Sequence, residues 1–156
     1  MANVNHSALT DPYLHEPKGV ASASTGEVYV ANGSGSGTWT GKESLVELSL
    51  EGYIENISAS TTVYVPIPFA GNVVKVVTVL EAAIGGSDAT ITVKDAAAAS
   101  MGTIAVTQAG SAAGDVDTLV PSSNNTVVAD SFITITTDGA SVNSASLRFV
   151  VIVDRT

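Results

Sequence analysis

His6 and His15 are the only imidazoles in this 156-residue chain, so a serine-type triad would have to take its base from one of them. They lie in a segment broken by Pro12 and Pro17. Their spacing matches no metal-ligand pattern, and the segment offers no rigid element to hold a base. The pair therefore reads as solvated or partner-facing. The run Gly33-x-Gly35-x-Gly37 has the look of a phosphate cradle, but that chemistry requires a helix to follow. Thr38-Trp39-Thr40 follows instead and is β-prone, which makes the glycines a hairpin loop. Asp115 and Asp117 beside Gly114 supply two of the oxygens of a calcium loop, and the remaining ligands in register are missing. Asp130 and Asp138 flank a strand and end it. Trp39 and the four tyrosines are scattered along the chain and read as packing residues rather than a sugar-stacking platform. With no cysteine there is no thiolate chemistry and no disulfide framework. These residues form no catalytic constellation, so the expectation is a non-enzymatic protein with no metal and no cofactor.

Composition narrows the partners. Apolar residues make up 45% of the chain and charged residues 13%, enough for a core under a bland surface of Ser, Thr, Gly and Asn. A surface so poor in charge favours self-association. The net charge of −9, with six scattered Lys and Arg, argues against nucleic acid or an anionic membrane as partner. No apolar run approaches the ~20 residues of a membrane span. Residues 1–10 lack the basic start and apolar stretch of a secretion signal.

The elements that must position these residues are strands. The most informative stretch is residues 62–80. Val63 and Val65 alternate with Thr62 and Tyr64, Pro66 and Pro68 exclude a central position there, and residues 70–72 read as a turn. The run 73–80 is β-branched and apolar on both faces, which predicts a central strand or one that meets another subunit. Residues 147–154 carry the same double-sided signal, with Val150 and Ile152 opposite Leu147, Phe149 and Val151. Residues 89–94 alternate with Ala89, Ile91 and Val93 facing in. Strands are also predicted at 53–57, 103–107, 126–128 and 132–137, with residues 43–52 ambiguous and strand ahead of helix. Residues 27–31 and 38–40 form a short hairpin around Asn32-Gly33, with Trp39 covering it. Residues 1–10 read as an extended arm, 11–19 as a docking strap with Tyr13 and Leu14 as apolar anchors, and 20–24 as a small, flexible stretch. The result is about eight strands at roughly 8–14-residue spacing. The fold class is all-β: a jelly-roll-like antiparallel β-sandwich over residues 44–156, preceded by an anchoring arm and hairpin over 1–43. Spacing alone does not separate a jelly roll from an immunoglobulin-type sandwich, although the latter's Cys…Trp…Cys pattern is missing. The oligomer interface is expected at Val74, Val76, Val150 and Ile152.

Two stretches carry a resemblance. LTDPYLHEPKGVA at 9–21, followed by GEVYVANGSGSGTW at 26–39, resembles the leader of tailed-bacteriophage virion decoration (cement) and head-fibre proteins. YIENI at 53–57 and QAGSAAGDVD at 108–117 are similar to the β-sandwich body of the same proteins. The resemblance implies a homotrimer on the outer surface of the phage capsid, its N-terminal segment gripping the major capsid protein. Tyr13, Leu14, His15, Glu16, Pro17 and Trp39 would then face the capsid. The alternative is a head- or tail-fibre module whose loops at 108–117 and 121–125 recognise a host surface glycan or receptor.

Overall fold

The computed structural model describes residues 22–34, 36–42 and 46–155. Contacts divide the chain into two units, Met1–Leu45 and Val46–Thr156. In the first unit, β1 (Glu27–Ala31) pairs antiparallel with β2 (Gly37–Gly41), and Tyr29 stands opposite Trp39. The two rings meet edge to face at 5.3 Å, a favoured aromatic geometry. The connection is held by Asn32, whose Oδ1 accepts from the backbone N–H of Ser34 (2.9 Å) and Ser36 (3.2 Å). Those donors are engaged locally, so the glycine-rich run is a hairpin loop, as the sequence predicts.

The second unit contains β3 (Glu47–Ile54), β4 (Thr62–Ile67), β5 (Gly71–Leu80), β6 (Ala89–Lys94), β7 (Ser100–Val106), β8 (Val116–Leu119), β9 (Thr126–Val127), β10 (Ser131–Thr137) and β11 (Leu147–Arg155). One sheet has the order β4-β10-β6-β7 and the other β3-β11-β5-β8, with the short β9 also pairing β5. All pairs are antiparallel. Set β9 aside and number the eight remaining strands in chain order. The sheets then read 2-7-4-5 and 1-8-3-6, the interleaving of a jelly roll. Among these eight, only the β6–β7 connection stays within one sheet. Its tight turn is closed by Asp95, whose Oδ1 accepts from Ala99 N at 2.7 Å.

Positions follow from residue chemistry. Pro66 lies in β4, which pairs only with β10 and is an edge strand, where a missing N–H costs no ladder bond. The double-sided strands β5 and β11 are both central in their sheet. Between the sheets lies one core that includes Ile54, Ile67, Val73, Val76, Ile91, Val93, Ile133, Ile135, Leu147, Phe149 and Val151. Thr78 and Thr137 are the buried hydroxyls of β5 and β10. Thr137 Oγ1 donates to Ala59 O at 2.6 Å and accepts from Thr61 N at 3.1 Å, tying the loop before β4 to the end of β10.

Three readings change. Residues 47–54 form one strand, not an ambiguous segment followed by a separate strand at 53–57; residues 43–45 lie outside the described residues. Gly71 is not a turn residue but the first residue of β5, pressed against the Asp154 backbone where a Cβ would collide. The third change is a bulge. Ile152 pairs with Lys75 and Val153 with Val73, leaving Val74 as the extra residue of β5.

Candidate interaction surfaces

The bulge decides which side chains β5 presents outward. Beyond it, Val76, Thr78 and Leu80 point into the core, while Lys75, Val77 and Val79 point out. Val76 is 0% exposed. Its expected place in an oligomer interface is therefore corrected: it packs between the sheets and is closed to a partner. Val74 is half-buried at the bulge itself. On β11, Val150 and Ile152 are half-buried on the outward face, opposite Phe149 and Val151.

Register brings these residues into one patch. Val150 pairs with Val77, Arg148 with Val79, and Val79 with Val116. Tyr53 on β3 stands opposite Arg148. Val116 is 58% exposed and Tyr53 45%. The patch contains a shallow groove of about 410 Å³ lined by Glu51, Tyr53, Val79, Arg148 and Val150. Its polar end is fixed by Arg148, whose Nε donates to Glu81 Oε1 at 2.6 Å. The guanidinium carbon lies 5.4 Å from the centroid of the Tyr53 ring. Ser146 Oγ also donates to Glu81, at 2.6 Å. That bond, and then the one from Arg148, hold the Glu81 carboxyl below its usual range.

The loops proposed as reading heads are tied to the body. Ser111 Oγ accepts from Ile84 N at 3.1 Å, and Gly114 N donates to Leu80 O at 2.7 Å. Asn125 Nδ2 donates to Val73 O at 3.0 Å. Asp115 and Asp117 line a shallow groove of about 190 Å³. Partial burial, and then the neighbouring Asp115 charge, raise the Asp117 carboxyl above its usual range. Asp115 Oδ2 accepts from Ala112 N at 2.7 Å, a loop-closing role. Among the described residues no group of His, Asp and Glu is placed to hold a metal ion.

The expected capsid-facing residues Tyr13, Leu14, His15, Glu16 and Pro17 lie outside the described residues. The sixth, Trp39, is half-buried against Tyr29 in the hairpin. Sequence reasoning missed Val77, Val79 and Lys75 as the outward side of β5. An inserted bulge leaves no local signal in a run of valines, and the phase beyond it had to be read from the pairing.

No protein-family model matches the chain, and no curated protein matches it. Among solved structures it is similar to a chain of the cyanophage Pam1 capsid asymmetric unit, with 15% identity and a TM-score of 0.43 over the full length of both chains. A likeness at that level defines no role.

Proposed function

We propose that this chain is a non-enzymatic phage virion structural protein that decorates and stabilises the outer surface of the capsid. In this reading residues 1–43 anchor the molecule to the major capsid protein, and the jelly-roll body self-associates, as a trimer, through the outward face of the β3-β11-β5-β8 sheet. The observation that carries the reading is the leader at 9–39, with its His-Glu-Pro-Lys-Gly run and glycine-rich hairpin ending in Trp39. Support for self-association comes from Val77, Val79, Val150 and Ile152, apolar side chains on the sheet face turned away from its own core, where Val77 and Val150 pair and Arg148 and Lys75 stand opposite Val79 and Ile152. Three anchors on one oligomer would reinforce attachment through high effective concentration.

The test is removal of residues 1–20, followed by co-sedimentation with capsids that lack the protein. The expected product is a folded oligomer that no longer sediments with capsids. Undiminished binding, or an unfolded product, would refute this division of labour.

A further inference from the structure

The two outward faces of the jelly roll differ in chemistry. On the β4-β10-β6-β7 sheet, register aligns Thr62, Thr136, Thr92 and Thr103 in one row across all four strands. Thr62 Oγ1 and Thr136 Oγ1 are 2.9 Å apart. The adjacent row is Tyr64, Thr134, Lys94 and Ser100. Hydroxyls therefore repeat at the strand spacing of about 4.8 Å. Threonine alone would carry no argument, because it is a good strand former.

The aromatic residues add an independent feature. Tyr64, expected from the sequence to be a packing residue, is instead 65% exposed, and Phe132 is 38% exposed. Their rings meet edge to face, with centroids 5.3 Å apart. Beside Phe132 the sheet face runs into a shallow pocket of about 190 Å³, also lined by Asp95, Val128 and Ser131. The bond that Asp95 Oδ1 accepts from Ala99 N fixes that carboxylate. Exposed rings beside a concave end, in a field of hydroxyls, combine an apolar platform with donors and acceptors.

Charge selects the partner. Lys94 is the one side chain in the two rows that is charged at neutral pH, and the chain as a whole carries −9. An anionic ligand would meet that net repulsion and Asp95 at the pocket. The two rings alone would suit a protein partner as well, but the rows of Thr and Ser around them do not, since hot spots are poor in both. We infer that the outward face of the β4-β10-β6-β7 sheet, centred on Tyr64, Phe132, Thr134 and Lys94, binds an uncharged polysaccharide. A pyranose would lay its C–H face on an exposed ring, with its hydroxyls bonded to Thr134, Lys94 and the Asp95 carboxylate. This site is distinct from the loops at 108–117 and 121–125, and it does not depend on the virion reading.

The experiment uses the free full-length protein without capsids. Binding is measured by calorimetry against neutral hexasaccharides of glucose, mannose, galactose and N-acetylglucosamine, with oligogalacturonate as the charged contrast. The expected result is binding to at least one neutral oligosaccharide, unchanged between low and high salt. Tyr64→Ala should weaken it about tenfold, and Tyr64→Phe should retain most of it. Tyr64 and Phe132 are both exposed, so the variants should fold, and circular dichroism is the control for that. Three results would overturn the inference: failure of every neutral probe, binding unaffected by both Tyr64→Ala and Phe132→Ala, or salt-sensitive preference for oligogalacturonate.

Discussion

Gly52 illustrates how single residues hold this fold. It lies in β3 opposite Phe149, whose ring covers the space a side chain would take. Phe149 is among the largest fully buried side chains. Gly52→Val would drive a branched side chain into that ring and should destabilise the protein by about 1–3 kcal/mol, read as a lower urea midpoint with unchanged slope. Thr137→Val is nearly the same size but removes the bonds to Ala59 and Thr61. It should cost about 1–3 kcal/mol by leaving backbone groups unsatisfied. Two carboxylates act in opposite directions with pH. Glu81 has a lowered folded pKa, so its contribution is present above the unfolded value and is lost as pH falls through the folded one. Asp117 has a raised folded pKa, so it weighs against the fold once pH rises through that value. Asp117→Asn should therefore raise stability at neutral pH and lose that advantage in acid. An advantage that persists in acid would contradict the assigned cause. Sequence reading reached Phe149 and Ile135 as strand residues, but not the Gly52–Phe149 packing, because their pairing joins strands nearly a hundred positions apart.

At the scale of the element, alternation made most strands legible. Ala89, Ile91 and Val93 face in as the period-two pattern predicts, and Pro66 marks β4 as an edge. β5 was legible as a central strand but not in phase. The bulge at Val74 shifts the pattern by one residue, which is why Val76 falls in the core. This makes two deletions unequal. Removing Val74 closes the bulge and leaves Val73, Val76, Thr78 and Leu80 facing in, so the variant should fold with stability within about 2 kcal/mol of the parent. Removing Val77 reverses the phase on one side of the cut, turning either Val76 or Thr78 and Leu80 to solvent, and should abolish folding. Thermal unfolding of the two variants checks this. Equal outcomes would contradict the assignment of Val74 as the inserted residue.

At the scale of the molecule, turn spacing indicated a two-sheet sandwich but could not choose its topology. Strand order is set by long-range pairing such as β11 between β3 and β5, which no local window contains. The anchoring residues proposed at 13–17 lie outside the described residues, so their part in the account rests on the leader's resemblance. The proposed self-association is accessible without capsids. Val150→Asp places a charge on the outward face while the inward residues Phe149 and Val151 keep their packing. It should leave a folded protein and shift sedimentation equilibrium from trimer toward monomer. An unchanged oligomer would remove this face from the interface.

The central claim is attachment to the capsid, and cryo-electron microscopy of protein mixed with matching capsids that lack it tests it most directly. The account predicts ordered density on the outer shell at threefold positions, with the leader in contact with the major capsid protein. Bare capsids beside a well-folded free oligomer would contradict it and would move the protein to another part of the virion or out of it.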